Sequence, residues 1–311
     1  MQSDPRDTFV TPSLHIEGMT SPPHLPRPAD RITLLPEFRS LSMSQFTEGQ
    51  PAVACDCYVE EIERSAERVA WGWRFGPHEN IDHHAPVSHM ARPISSTNLA
   101  LVRVEACGPV HPNTAVLITH TDADSILSAG IVSGLLPPRA AYGRAAIAAD
   151  HTGAPDPIAD LLQALDPLRS VVDSFNALAI LEDGGPLPSW AATRLAARQQ
   201  LRETMAAAVP RFRMQDGVAW MAFEHEVAGE FLPHLLPEAQ VIVVGYPMAD
   251  RASRWTIKVR LGQAAPDGLT LDALRLHEID PAYGGRWNAG ATKRGGGSEL
   301  GPAAWAARLS R

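Results

Sequence analysis

Apolar and polar positions along the chain alternate between short strand-like runs and longer helical stretches. "NTAVLITH" (113–120) is short, apolar and rich in β-branched residues, which predicts a buried strand. "PAVACDCYV" (51–59) predicts another. Between them, "EEIERSAERVAWGW" (60–73) has the charge spacing of a helix, and "ISSTNLALVRVEA" (94–106) predicts a helix capped by Ser95 or Ser96. After His120 the composition of "TDADSILSAGIVSGLL" (121–136) becomes helical, and two further helices are predicted over 157–165 and 167–181. Gly and Pro cluster in "EDGGPLPSW" (182–190), the best linker in the chain. Beyond it lie an Ala- and Leu-rich helix (190–209) and three strand-like runs: "VAWMAFEHE", "AQVIVVGYP" and "RWTIKVRL".

This order predicts an α/β architecture with no internal repeat. A mostly parallel-sheet domain is expected over 45–185, followed by a smaller α+β domain over 186–311. An N-terminal arm over 1–44, partly irregular and rich at first in Pro and Ser, precedes both.

Composition narrows the function. At 311 residues, 45% apolar and 20% charged, the chain can bury a sizeable core. A net charge of -8 argues against broad binding to long nucleic acid, which needs a basic face, while leaving room for a local basic patch around one phosphorylated ligand. The three cysteines, Cys55, Cys57 and Cys107, form neither a disulfide framework nor a zinc-type pair of CxxC motifs. No signal-like start and no membrane-length apolar run occur, so a cytoplasmic protein is expected, with no membrane partner and the question of a homodimer open.

Four clusters carry candidate chemistry. In "THTDADSILSAG", His120, Asp122 and Asp124 are spaced by two, so an extended chain projects all three to one side where a buried strand runs out. Crowded together they require a cation, and a divalent metal supplies it. The small Ser125, Ser128, Ala129 and Gly130 begin a helix whose N-terminus favours an anionic ligand. The blander reading makes Asp124 a helix cap and Asp122 a solvated side chain.

In "IDHH", His83 and His84 would point to opposite faces of a regular strand unless the chain turns, which Pro86 favours. His83 is then expected on metal, His84 towards a phosphate, and Asp82 behind them orienting a ring. In "AADHTG", Asp150 follows an apolar run and is expected at a strand end, with His151 beside it and its carboxylate a candidate to bridge two metals; a turn Asp before Gly153 is the alternative. Asp56 is an acid in an otherwise apolar strand, either a ligand or an edge residue. His78, His89 and His111 are expected at the surface. The fourth cluster, "GGRWNAGATKRGGG" (284–297), joins six glycines to Arg286, Lys293 and Arg294 with no acid, a composition suited to an anion. It is neither a Walker loop nor a dinucleotide fingerprint, and a flexible loop is the alternative.

Together these residues resemble the DHH phosphoesterase superfamily, which includes RecJ-type exonucleases, oligoribonucleases, cyclic-dinucleotide phosphodiesterases and manganese pyrophosphatases. "IDHH" matches its naming motif, and "HTDADSILSA" resembles H-x-D-x-D-G-x-x-S-A, with Ser125 at the glycine position. Ser96 and Thr97 resemble the Ser-Thr helix start that follows the DHH motif. "GGRWNAGATKRGGG" is similar to the GGGH-type loop of the C-terminal (DHHA1-like) substrate domain, with Arg286 where a histidine is common. The motif order differs: Asp82 precedes Asp122, as a permuted metal domain would have it.

The resemblance implies a metal domain, a cleft and a substrate domain. It implies that His120, Asp122, Asp124, Asp150 and His83, with Asp56 as a weaker candidate, hold two divalent ions, usually Mn²⁺, with Mg²⁺, Co²⁺ or Zn²⁺ as alternatives. His84 and Asp82 would serve catalysis. Gly284, Gly285, Arg286, Asn288, Lys293, Arg294 and His151 would bind substrate. The expected activity is hydrolysis of a small phosphorylated metabolite or (di)nucleotide by two-metal activation of water. The alternatives are a non-hydrolytic nucleotide- or metabolite-binding protein and a metal-dependent hydrolase of a non-phosphate substrate.

Overall fold

The structure, a computed structural model, describes residues 28–84, 94–251 and 253–310. Pro86 and His89 lie outside the described residues, as does the arm up to residue 27. A short helix α1 (Pro28–Arg31) leads into β1 (Ile32–Leu34) and β2 (Ser40–Leu41), then α2 (Met43–Thr47). Residues 28–44, expected within a partly irregular arm, thus contribute a strand to the first sheet.

The chain continues through β3 (Ala52–Cys55), β4 (Tyr58–Val59), α3 (Ile62–Ser65), β5 (Glu67–Val69), β6 (Gly72–Phe75) and β7 (His78–Ile81). Then follow α4 (Ser96–Cys107), β8 (Ala115–Ile118), α5 (Ala123–Ser133), α6 (Ala140–Ile147), a π-helical turn (Ala148–Thr152), α7 (Pro157–Leu165) and α8 (Val171–Glu182). The first sheet has the order β1-β8-β3-β7-β6-β5. Its β1, β8, β3 and β7 run parallel, and the β5–β6 hairpin extends one edge antiparallel.

Alternation along β3 divides the core. Val53 and Cys55 face the helices that carry Leu99, Val104, Ile126 and Leu127, while Ala52 and Ala54 face Phe46 and Ile62 on the other side. Burial on both faces is why "AVAC" reads as a continuous apolar run.

The helix expected over 60–73 is corrected to one turn of α3 followed by the β5–β6 hairpin. Tertiary packing overrides the charge spacing. Trp71 enters one face of the core and Trp73 the other, and Gly72 between them takes φ +136, where a Cβ would lie 2.1 Å from the Asn80 carbonyl oxygen. His78, expected at the surface, is buried against Phe46, with ring centroids 5.4 Å apart; His111 is exposed.

The Gly/Pro segment 183–188 separates α8 from α9 (Ser189–Ala208), which packs back along α7 through Arg198 and Arg202 on Asp160. The second unit contains β9 (Arg213–Gln215), β10 (Val218–Ala222), α10 (Leu232–Leu235), β11 (Val241–Pro247), β12 (Trp255–Leu261), α11 (Leu276–Ile279), β13 (Gly284–Arg286), β14 (Ala289–Ala291) and α12 (Pro302–Leu309). Its sheet has the order β13-β14-β12-β11-β10-β9 and is antiparallel except between β10 and β11. The three apolar runs form β10, β11 and β12, with Trp305 of α12 buried against them.

The glycine-rich segment is a hairpin rather than a loose loop. Gly285 pairs so closely with Gly290 that a Cβ would sit 2.3 Å from the Gly290 Cα. Among the described residues no helix is long and apolar enough to cross a membrane.

Candidate metal centre

The site forms where β8, β3 and β7 end side by side. Because these neighbours are parallel, their C-terminal ends open onto one crevice, which gathers His120 and Asp122, then Asp56, then Asp82 to His84. Adjacency in the sheet, not order in the chain, puts them together.

Asp56 is the hub. Leaving β3 it takes a left-handed φ of +50, a conformation Asp tolerates better than most residues, and its amide donates to the Ile81 carbonyl. Ser96 Oγ donates to its Oδ1 at 3.0 Å and Ser125 Oγ to its Oδ2 at 2.8 Å. Oδ1 also lies 3.5 Å from His83 Nε2, and Oδ2 lies 3.1 Å from His120 Nε2.

Asp56 falls in two candidate ligand groups, one with His120 and Asp122 and one with His83 and His84, and His83 continues to Asp150 in a third. On one side are His120 and Asp122, whose Oδ2 is 3.4 Å from His120 Nε2. On the other, His83 Nε2 is 3.0 Å from Asp150 Oδ2 and 3.7 Å from Asp124 Oδ2. The expectation that His120, Asp122 and Asp124 project together from an extended chain is corrected. Asp122 itself caps α5 by accepting from the Ser125 amide, so helical backbone begins at Ala123 and turns Asp124 away. The Asp124 carboxylate instead accepts the amides of Ser96 and Thr97, both at 2.7 Å, at the N-terminus of α4.

Asp150 does not emerge at a strand end. It lies in the π-helical turn after α6, where the widened backbone turns Asp150 and His151 both inward. Gly153 ends that turn with φ +66, and a Cβ there would meet the Glu230 carbonyl oxygen at 2.1 Å.

Hydrogen bonds fix each imidazole. His83 Nδ1 lies 2.8 Å from the Ile94 carbonyl, so the proton is on Nδ1 and Nε2 faces the carboxylates. His84 Nδ1 donates to Asp82 Oδ1 at 2.6 Å, which turns its Nε2 towards Arg286. His151 Nε2 donates to the same Ile94 carbonyl at 2.9 Å, leaving Nδ1 to accept from Asn288 Nδ2 at 2.8 Å. His151 is near enough to group with His83 and Asp150 as a metal ligand, yet both its ring nitrogens are committed, so it buttresses the site. His83 and His84 need not oppose each other, because β7 ends at Ile81; their rings meet edge to face at 4.3 Å.

The electrostatics call for cations. Burial favours neutral carboxyls, and Asp124 is pushed up to about 8 by burial and by Asp56. For Asp56, burial is outweighed by the His120 hydrogen bond and the imidazole charges, which hold it well below the usual range. Asp150 is held down by His83 and Arg286 against its burial. Burial also opposes the imidazolium forms, yet Asp150, Asp124 and Asp56 raise His83 to about 10, and Asp122 and Asp56 raise His120 to about 12. His151, desolvated, falls to about 4 and stays neutral. Protons on His83 and His120 thus do what a divalent ion would do better. A nitrogen and oxygen donor set of this kind fits a divalent cation.

The second unit faces this centre with a groove of about 700 Å³, lined by His84, Lys258, Arg260, Gly284, Gly285, Arg286, Lys293 and Arg294 among others. Arg286 Nη1 donates to His84 Nε2 at 2.7 Å and lies 3.8 Å from Asp150 Oδ2. Lys258 and Lys293 both reach Glu226, at 2.9 and 3.3 Å. Asn288 is not in the groove; it is buried beside His151. Lys258 and Arg260 escaped the sequence reading, although their spacing of two in "WTIKVRL" is a strand signal for a shared face. Ser96 and Ser125, the hydroxyls on Asp56, carried no signal of that role.

No family model matches the chain, and no curated protein matches it. Solved structures do. Two of these show low identity and low overall overlap with the chain. One is a pGpG-specific phosphodiesterase, PggH, from Vibrio cholerae, with 12% identity, 59% of this chain and 74% of that one covered, and a TM-score of 0.37. The other is exonuclease RecJ bound to manganese, with 15% identity, 60% of this chain covered and a TM-score of 0.32. The match spans 59% of the exonuclease.

Proposed function

We propose that this protein is a metal-dependent phosphoesterase or phosphoanhydride hydrolase acting on a small phosphorylated metabolite or (di)nucleotide. The observation that carries the reading is the position of Asp56 between two His/Asp groups, directly across from a basic groove. Asp56, Asp122 and His120 would hold one ion, and Asp56, His83, Asp150 and Asp124 the other. Divalent ions there would lower the pKa of a water and polarise phosphoryl oxygens.

The chain's own residues supply the rest. Asp82 fixes the tautomer of His84, so Nε2 is presented to the groove as the atom that accepts or returns a proton. Arg286, already on that nitrogen, would turn its fork to a phosphoryl oxygen. Lys258, Arg260, Lys293 and Arg294 would neutralise the distal part of the substrate. The groove's size and the net charge of -8 favour a small ligand over a long polymer.

The test is phosphate release from a panel of phosphorylated metabolites and dinucleotides with Mn²⁺, beside metal analysis of the purified protein. Release is expected to depend on metal and to disappear in Asp122→Ala. Unchanged turnover in that variant would sink the assignment, and tight nucleotide binding without release would make the protein a binding module instead.

A further inference from the structure

The basic groove holds an anion of its own. Lys258 and Lys293, the only lysines in the chain, both line it. Each is bonded to the same carboxylate: Glu226 Oε1 accepts from Lys258 Nζ at 2.9 Å, and Oε2 accepts from Lys293 Nζ at 3.3 Å. Glu226 sits in the connection after β10. The Lys258 bond above all holds its carboxyl down to about 2, so it is ionised at any working pH. Arg260 and Arg294 line the same groove and make no ion pair among the described residues.

Strand register sorts these cations into two rows. Arg286 on β13 and Arg260 on β12 both lie opposite Ala289 of β14. Two residues along, Lys258 lies opposite Ala291, and Lys293 follows two positions later in the chain. Directly opposed residues project to one face of a sheet, and so do residues two apart on a strand. The arginine row therefore sits beside His84, where Arg286 touches it. The lysine row begins about 7 Å away along the strands.

The Glu226 side chain is 53% exposed, so its two ion pairs are weak and do not hold it against a stronger anion. Lys258, in contrast, is anchored without it. Its Nζ also donates to the Val227 carbonyl at 3.3 Å and lies 5.6 Å from the centre of the Tyr246 ring. The lysine row is thus a formed anion site whose occupant can leave.

We propose that Glu226 is a specificity-determining residue: its carboxylate fills a second anion subsite at Lys258 and Lys293, which a ligand gains only by bringing an anionic group that displaces it. This subsite rests on the basic groove being where the substrate binds, as proposed above. The preferred ligands carry two anionic groups about 7 Å apart, one for each row. A ligand with a single such group is served by the arginine row and leaves Glu226 in place.

Propane-1,3-bisphosphonate and propylphosphonate are the probes, titrated by calorimetry into the full chain at fixed salt; neither contains an ester or anhydride to hydrolyse. Glu226→Gln keeps the shape of the side chain and removes its charge. It should tighten the bisphosphonate about tenfold, because two weak pairs no longer compete for the lysines. Propylphosphonate should gain no more than about twofold, because the freed lysines offer its one group only an alternative place. With Lys258→Gln and Lys293→Gln already present, Glu226→Gln should change neither affinity. Glu224→Gln removes an exposed charge two residues away and should also change neither. Equal gains for the two probes, a gain that survives loss of the lysines, the same gain from Glu224→Gln, or no gain at all would each overturn the inference and leave the groove as the anion site. Binding of neither probe to any form would overturn both. Phosphate release plays no part in the comparison, so an inactive chain would still decide it.

Discussion

The two walls of the cleft are built by sheets of different kinds, and the kind of sheet decides the chemistry each can present. In the first, β8, β3 and β7 run the same way, so three chain segments end together and their acids and imidazoles crowd into one buried cluster around Asp56. In the second, β12, β13 and β14 alternate in direction, and the cations come from a strand face and a hairpin: Lys258 and Arg260 two apart on β12, Arg286 at the end of β13. Convergent strand ends concentrate charge and desolvate it. A strand face spreads charge along a half-open groove. One wall is therefore suited to be a cation trap and the other to be an anion cradle, joined where Arg286 touches His84.

The sharpest way to break the contrast is to remove the hub. Asp56→Ala takes a ligand from both groups at once. Metal content should fall towards zero, and phosphate release should drop by more than the roughly 100-fold that loss of an outer partner costs. Metal analysis beside single-turnover kinetics checks this; full retention of bound ions would refute the shared-carboxylate arrangement.

Arg286→Ala acts on the other wall. It should lower kcat/KM about 10- to 100-fold, or about 1.4–2.7 kcal/mol, while metal content stays unchanged. Arg286→Lys should restore little, because an ammonium cannot replace the planar fork. If metal content falls with activity, Arg286 belongs to the trap and the division between walls fails.

The smallest effect expected is on pH dependence. His83 is raised to about 10, so its contribution to the stability of the metal-free protein is complete below its unfolded value near 6.5. That contribution is lost as pH rises through about 10. Asp124, raised to about 8, adds a cost that grows as pH climbs above its unfolded value. Asp56 and Asp150, both lowered, contribute stability above the unfolded carboxylate range and lose it as pH falls. Metal-free stability should thus decline from about pH 6.5 towards 10, while Mn²⁺, which replaces protons, should bind more tightly over the same range. Melting curves with Mn²⁺ and with chelator, at about pH 6 and pH 9, test it. A metal-induced rise in Tm that is no larger at the higher pH would count against His83 as the proton-bearing ligand.

Much of this was legible from residue patterns. β-Branched and buried runs marked β3, β8, β11 and β12, and Ser95 marked the start of α4 through its bond from the Asn98 amide. The misreadings have physical causes. In 60–73 the charge spacing of a helix competed with two tryptophans that had to enter opposite faces of a core, and the packing won. Asp150 follows an apolar run because α6 is buried, not because it is a strand; a short run does not distinguish the two. Asn288 and His151 were expected at the substrate because one lies in the glycine-rich cationic segment and the other beside Asp150, whereas burial assigns them to a wall.

By itself, the sequence determined which groups could carry the chemistry: a set of Asp and His residues that cannot be buried together without cations, and a glycine-rich cationic segment. It determined this because ligand type, charge and the cost of burial are properties of the residues themselves. The pairing of those groups was decided only by tertiary structure. Strand order β8-β3-β7 put Asp56, the weakest candidate in the chain, at the centre, and brought "IDHH" and "HTDAD" together against their order in sequence. Distances of about 3 Å between residues dozens of positions apart depend on sheet adjacency, and local pattern carries no record of it.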